Sequence, residues 1–454
     1  MHGVEGLSTQ EDKTAPSAVS KGEPESGSPL RALEIADFNY PLPEERIALY
    51  PLAERDASKL LVYKGGKTDI SVFRHIGDFL PASSLLVFNN TRVVHARLIF
   101  CKGKESGARI EIFCLEPTVP AEPASAFAAT GHCRFKCLIG NNKRWKDGLL
   151  QMAFPTGSAL ETDTGCLTAC KTGSFDDCFE VAFSWEPAHL SFAQVLEQAG
   201  KVPLPPYIRR QAEETDKTRY QTVFARFDGS VAAPTAGLHF TPQVLQKLKD
   251  SGIEQDFITL HVGAGTFRPV KAERIGGHAM HYEHILATDG LVRHLIEALK
   301  DGRPVIPVGT TSMRSLESLY WIGLKFLVGG FPQTDDAERA VFEVHQWEVY
   351  EDFAQARKEI SPTAALEAIL SYMERHKVRQ IHGHTALMIA PGYDFAICKG
   401  IVTNFHQPQS TLLLLVSALI GPLWRELYDT ALRNDFRFLS YGDSCLFLKD
   451  DALL

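Results

Sequence analysis

The chain has 454 residues, a formal charge of −8, 44% hydrophobic residues and 22% charged residues. That length suits two or more domains with proper cores, and the acidity excludes a generally basic nucleic-acid coat while leaving room for a local basic face. No early apolar run has the form of a signal peptide, and the longest apolar run, Leu412 to Ile420, falls far short of the ~20 residues that span a bilayer. A cytoplasmic protein with no membrane partner is the expectation.

Residues 1–30 are rich in Ser, Gly, Pro and Glu and read as a disordered extension. Five acids (Glu5, Glu11, Asp12, Glu23, Glu25) against Lys13 and Lys21 put −3 of the charge there. Order begins near Ala36, with a short helical turn from Glu44 to Leu49. In the block Arg55-Asp-Ala-Ser-Lys-Leu-Leu-Val-Tyr63 the two charges read as a solvated turn before a strand. Ser84-Leu-Leu-Val-Phe88 is a compact buried strand, and Asn89-Asn-Thr-Arg92 is the turn after it. Arg92 and Arg97 carry forks that match a phosphate or a carboxylate; a structural salt bridge is the competing reading.

From Cys101 to about Trp185 the hydrophobic period changes to two. Ala108, Ile110, Ile112 and Cys114 alternate with Arg109, Glu111 and Phe113, and Phe179, Val181 and Phe183 alternate with smaller or polar residues. Short strands broken by Gly, Asp, Thr and Pro predict an antiparallel barrel. The expected fold is a mixed α/β main domain in two parts, 31–100 and 191–454, with an inserted antiparallel β-barrel domain at 101–190. Seven of the nine cysteines lie between Cys101 and Cys178. Spacings such as Cys133-x-x-x-Cys137 are looser than zinc knuckles, so reduced, buried thiols are expected and no metal.

Lys201-Val-Pro-Leu-Pro-Pro-Tyr-Ile-Arg-Arg210 is held extended by its prolines and is expected to present Tyr207, Arg209 and Arg210 outward. With Lys217, Arg219, Tyr220 and Arg226 it is the most basic, aromatic-interleaved stretch, a combination that suits an RNA loop. Tyr207, Arg209, Arg210 and Arg219 are the tRNA-binding candidates. Glu213, Glu214 and Asp216 dilute the charge, and an ordinary charged linker is the alternative.

The stretch from Val231 to Val270 organises the rest. Thr241 reads as an N-cap and Pro242 as the first helical residue, Val244, Leu245 and Leu248 form one apolar face, and Gly252 closes the helix. A strand follows from Phe257 to Val262, with Ile258, Leu260 and Val262 on one face and Phe257, Thr259 and His261 on the other. This carries His239, His261 and the Gly263-Ala-Gly265 turn to one sheet edge. In His278-Ala-Met-His-Tyr-Glu283 strand alternation would pair His281 with Glu283 and argues against a metal triad. Pro304-Val-Ile-Pro-Val308, Gly309-Thr-Thr-Ser312 and the helix Met313 to Ile322 form a strand–turn–helix whose N-terminus suits an anion, with Arg314 nearby. Residues 323–340 read as an expanded loop, followed by a helix from Pro362 to His376. Thr403-Asn-Phe-His406 closes another strand, Ser410 opens an intensely apolar helix, and Asp443, after Gly442, is a candidate site carboxylate.

Pro234-Thr-Ala-Gly-Leu-His-Phe-Thr-Pro242, Thr259-Leu-His-Val-Gly-Ala-Gly-Thr-Phe267, His278 to Glu283, Gly383 to Gly392, Val402 to Val416 and Phe436 to Asp443 resemble, in one order, the S-adenosylmethionine:tRNA ribosyltransferase-isomerase family of queuosine biosynthesis. His95 stands where that family suggests proline, and Gln407-Pro-Gln409 replaces Leu-Pro-Lys, removing one cation. The resemblance implies transfer and isomerisation of the ribosyl part of S-adenosylmethionine onto 7-aminomethyl-7-deazaguanine at the tRNA wobble position, giving epoxyqueuosine, adenine and methionine. It implies a monomer, tRNA as partner, and S-adenosylmethionine as co-substrate with no other cofactor. On this basis the expected catalytic residues are His239, His261, His281, Glu283, His406 and Asp443. The expected substrate contacts are Arg92, Arg97, Thr235, Gly263, Gly265, Thr310, Thr311, Ser312, Arg314 and Asn404. Two other classes compete: an S-adenosylmethionine-dependent RNA methyltransferase, which needs a helix after a Gly-rich turn where Phe267-Arg-Pro269 stands, and a non-catalytic tRNA-binding protein.

Overall fold

Leu85-Leu-Val-Phe88 has no polar alternation, so a strand made from it must be covered on both faces. The computed structural model describes residues 28–103, 107–157, 163–175, 178–263, 270, 272–331, 336–337 and 340–449, and places this run at the centre of a sheet with all four side chains buried. Only Ser28, Pro29 and Leu30 of the expected extension are among the described residues; they begin a short helical turn.

The strands in chain order are β1 (Lys59–Lys64), β2 (Lys67–Val72), β3 (Leu85–Asn89), β4 (Thr91–Val93), β5 (Arg97–Lys102), β6 (Ala108–Val119), β7 (His132–Gly140), β8 (Leu150–Pro155), β9 (Thr164–Ser174), β10 (Phe179–Glu186), β11 (Phe227–Ser230), β12 (Glu254–His261), β13 (Glu283–Thr288), β14 (Val305–Val308), β15 (Val341–Val344), β16 (Gln380–Thr385), β17 (Gly400–Asn404) and β18 (Ser444–Leu448). A ten-stranded mixed sheet runs β15-β16-β13-β12-β3-β14-β17-β18-β1-β2. Its middle four strands, β12, β3, β14 and β17, are mutually parallel, so their carboxyl ends share one edge. In α/β sheets that edge is where loops build sites.

Period-two alternation divides the central strands between two cores. Leu85, Val87, Ile258 and Leu260 pack with Met313, Leu316 and Leu366 on one face, while Leu86, Phe88, Phe240, Val244 and Leu248 pack on the other. The helix Pro242–Asp250 is capped by the Thr241 hydroxyl accepting from Val244 N, as its sequence predicts. The helices Pro362–His376 and Thr411–Ile420 are likewise capped by Ser361 and Ser410. The apolar Thr411–Ile420 helix lies in the core of the main sheet, with Leu413, Leu414 and Val416 fully buried.

Two local expectations fail. The helix begun at Thr310 runs on to Val328, so 323–328 are helix rather than loop. Gly323 lets the backbone of Ala365 approach so closely that a Cβ there would meet its carbonyl oxygen at 2.0 Å, and Lys325 is buried against Glu348. The helix is therefore a core element from Thr310 to Lys325, and only its last residues reach solvent. In the second case the strand of the His278 block begins only at Glu283, so alternation does not govern His281.

The second sheet, β5-β6-β7-β10-β9-β8, is wholly antiparallel, and its edge strands β5 and β8 approach without pairing, leaving the barrel nearly closed. Phe100, Ile112, Phe135, Phe154, Phe183 and Trp185 fill it. The expected mixed α/β sheet with an inserted antiparallel barrel is thus observed. The cysteines form no disulfide among the described residues; Cys114, Cys133 and Cys137 are packed into the barrel core.

Candidate active site

The carboxyl ends of β12, β14 and β17 open into a cleft of about 820 Å³. Three sequence features make it. Ala232, Ala233 and Pro234 keep one wall shallow; Gly309, at φ 95°, turns β14 into the next helix; Asn404 to His406 ends β17. Thr235, Thr310, Thr311, Asn404, His406, Gln407, Ser410 and Ser440 supply polar groups, and no Lys, Arg, Asp or Glu lines the cleft among the described residues. The helix Thr310–Val328 has no side-chain N-cap, so the N–H groups of its first turn point at this cleft with the positive end of the helix dipole behind them. Ser312 does not line the cleft; it is fully buried and its hydroxyl donates to Val308 O at 2.8 Å.

Asn404 is the hinge of a polar network. Its Oδ1 accepts from the Thr235 hydroxyl at 2.9 Å, and its Nδ2 donates to His239 Nε2 at 3.0 Å and to the Asp443 carbonyl at 3.3 Å. Because Nε2 accepts, the neutral ring carries its proton on Nδ1, which meets Ser58 Oγ at 2.9 Å. Burial, reinforced by the charges of Arg437 and Arg55, lowers the His239 pKa to about 4. His406 faces the cleft, with Nε2 3.0 Å from Thr403 Oγ1, and burial lowers it to about 3. Both imidazoles are therefore neutral at pH 7.

His239 itself lines a second, smaller pocket of about 290 Å³ behind Asn404, with Arg55, Ser58, Arg219, Arg437, Ser440 and Tyr441. The expected solvated turn at Arg55 is instead a fixed point: the guanidinium donates to Thr218 O at 2.7 Å and Gln221 O at 2.5 Å.

Several expected site residues lie elsewhere. His261 turns away from the cleft, stacks on His284 at 5.7 Å and lines a separate hollow of about 1310 Å³ between the barrel and the main sheet, with Phe127, Phe227 and Phe257. His281 is exposed and outside any strand, so the His281–Glu283 pair does not form. Glu283 and Arg314 are committed to each other in a buried ion pair, which leaves Arg314 no spare charge for a substrate. Arg314 lies instead on a small apolar hollow with Met280, Leu387 and Met388, beside Thr310 and Thr311. Asp443 is a brace: its two oxygens accept from Lys59 N at 2.9 Å and Arg437 N at 2.7 Å, bonds that oppose the rise in its pKa from burial. Arg92 forms a two-pronged pair with Asp228 and Arg97 pairs with Glu111 at 2.6 Å, so the salt-bridge reading holds for both. Gly263 ends at open space, and Gly265 lies outside the described residues.

The basic stretch divides as well. Tyr207 lines the cleft and bonds Ser440 Oγ at 2.7 Å. Arg209 is exposed and pairs with exposed Glu44. Arg210 does not project outward; it chelates the buried Asp216 at 2.6 and 2.8 Å and stacks on Tyr50. Arg219 donates to the carbonyls of Leu52 and Ala53. Ser58, Ser440 and Gln407 went unnoticed as site residues because a single serine or glutamine in a sequence has no distinguishing spacing.

The family model described as "Queuosine biosynthesis protein" matches residues 35–447. The chain is 37% identical over 424 residues to the S-adenosylmethionine:tRNA ribosyltransferase-isomerase of Halothermothrix orenii, covering 92% of this chain and 100% of that one. It is 36% identical over 419 residues to the enzyme of the same name from Syntrophotalea carbinolica, with the same coverage of 92% and 100%. A crystal structure of the S-adenosylmethionine tRNA ribosyltransferase of Thermotoga maritima is 25% identical, with a TM-score of 0.41 over 91% of this chain and 100% of that one. The matched span runs from the first turns to the last strand and takes in every wall of the cleft, and the chain belongs to the S-adenosylmethionine:tRNA ribosyltransferase-isomerase family of queuosine biosynthesis.

Proposed function

We propose that this protein, as a monomer, transfers and isomerises the ribosyl moiety of S-adenosylmethionine onto the aminomethyl group of 7-aminomethyl-7-deazaguanine at the tRNA wobble position. The products are epoxyqueuosine-tRNA, adenine and methionine. The observation that carries the reading, beside family membership, is the charge character of the cleft. A sulfonium is a cation, and a wall of threonines, asparagine, neutral histidine and backbone accepts it without repulsion. The methionyl carboxylate has a place at the uncapped N-terminus of Thr310–Val328, where Thr310 and Thr311 offer N–H and hydroxyl donors. The incoming amine must be neutral to attack, and no carboxylate among the described residues lines the cleft to hold it protonated.

The reaction needs a base for the C5′ proton beside the sulfonium and a proton for departing adenine. We assign the first task to His406, which is unprotonated at pH 7 and on the cleft wall. His239 acts through Asn404, fixing the amide so that Thr235 and the substrate meet it in one orientation. The test is adenine release from S-adenosylmethionine with tRNA bearing the aminomethyl base, against unmodified tRNA. Release only with the modified tRNA is expected. Labelled methyl transfer to RNA in place of adenine release would replace this reading with the methyltransferase one.

A further inference from the structure

The pocket behind Asn404 is lined by three guanidiniums, those of Arg55, Arg219 and Arg437. Their partners are nearly all main-chain oxygens. Arg55 gives two N–H groups to Thr218 O and Gln221 O, Arg219 two to Leu52 O and Ala53 O, and Arg437 one to Tyr50 O at 3.3 Å. Each guanidinium carries five donors, so most remain unspent. Among the described residues, the one carboxylate paired with any of the three is Asp443, 3.7 Å from Arg437 Nη2 and already holding two backbone N–H groups. Asp216, the next acid along, is taken by Arg210 and the Tyr441 hydroxyl. Three positive charges against one negative leave an excess of two in a partly buried space. Carbonyl partners hold the guanidiniums in place without neutralising them, which is how a protein keeps cations ready for an anion.

Size and surroundings narrow the anion. The pocket is narrow, with about 20 Å³ open to the centre of a water-sized group, so it takes a single oxyanion at its mouth rather than a whole nucleoside. Ser440 lines both this pocket and the cleft, which puts the two within one residue of each other. Leu49 and Tyr50, just before the lining residues Pro51 and Leu52, are 41% and 50% exposed; the Arg210 guanidinium lies 4.2 Å over one face of the Tyr50 ring, whose hydroxyl donates to Glu213. A cationic pocket beside an exposed aromatic ring is the pairing that single-stranded nucleic acid uses, phosphate in one and base on the other.

We propose that Arg55, Arg219 and Arg437 bind a phosphodiester oxyanion of the RNA substrate beside the nucleotide presented to the cleft, with Tyr50 as the adjoining stacking surface; this rests on the ribosyl-transfer reading of that cleft. The test uses the full chain, with an unmodified tRNA transcript and S-adenosylmethionine as separate binding probes, and adenine release followed alongside on tRNA bearing the aminomethyl base. Arg219→Gln and Arg437→Gln should each weaken tRNA binding about tenfold and lower the slope of log K against log salt by roughly 0.7–0.9, while leaving S-adenosylmethionine affinity within twofold. Arg437→Lys should recover the salt slope. Arg437→Gln loses one 3.3 Å hydrogen bond and the 3.7 Å pairing with Asp443, fewer contacts than Arg219→Gln removes, and keeps the test available if Arg219→Gln unfolds. Unchanged tRNA affinity and slope overturn the proposal, as does a loss confined to S-adenosylmethionine, which would assign the pocket to the methionyl carboxylate. A wild type that binds tRNA but releases no adenine defeats the transferase reading alone, because the phosphate contact is read from binding.

Discussion

The cleft and the arginine pocket share Ser440 and are separated by the hydrogen-bonded pair Asn404–His239, yet their chemistry is opposite. The cleft has no charged side chain among the described residues; the pocket has three guanidiniums and a histidine kept neutral by burial and the charges of Arg437 and Arg55. In the proposed assignment a sulfonium belongs on the first side and a phosphodiester on the second. The neutral Asn404–His239 wall lets the two sit close without the arginines' field being compensated by a carboxylate that would also trap the amine. Charge is thus sorted by which side of β17's end a residue comes from, not by its place in the sequence.

The largest effects should come from removing the cleft's own groups. His406→Ala and Asn404→Ala should slow adenine release by roughly 10²–10⁴ while the folded structure persists; rates within threefold of wild type would move the chemistry out of this cleft. Arg314→Ala should leave turnover secondary to stability, because it strands Glu283 in a buried site and costs about 3–5 kcal/mol, read as a fall in unfolding midpoint. An intact midpoint would return Arg314 to the list of substrate contacts.

Acid should erode the neutral wall next. His239 and His406 have folded pKa values of about 4 and about 3, below the ordinary 6.5, so the unfolded chain binds more protons. Their contribution is full above pH 6.5 and is lost as pH falls towards 4 and 3, on the order of 2 kcal/mol or more by urea unfolding. A stability flat from pH 7 to 4.5 would contradict the buried, neutral assignment. The smallest effect sharpens the comparison directly. Gln407→Arg places a cation on the uncharged side and should weaken S-adenosylmethionine binding roughly tenfold by repelling the sulfonium. Tighter binding instead would mean that the carboxylate, not the sulfonium, faces Gln407.

Much of this was legible before any coordinates. The Thr241–Pro242 helix start, the faces of β12, the barrel's period of two and the Ser410-capped core helix follow from local propensity and periodicity, which act within a few residues. Thr235, Thr310, Thr311, Asn404 and His406, all taken as site candidates from their motifs, are found lining one cleft. The failures share a cause. Glu283, Arg314, Asp443 and Arg92 each carry the right functional group, but a charged side chain's role depends on its nearest partner, and theirs come from distant segments; His281 was read on a strand that begins only at Glu283.

Sequence by itself determined the family, the elements and the neutrality of the motif residues that line the cleft, because these are properties of contiguous residues. Only the tertiary structure decided which cations are spent and which are free. Arg314 meets Glu283 across the sheet, whereas Arg55, Arg219 and Arg437, from three separate segments, meet carbonyl oxygens and one another. Coulomb interactions fall off within a few ångströms in a screened, polar environment, so the outcome is set by packing distance and not by separation along the chain.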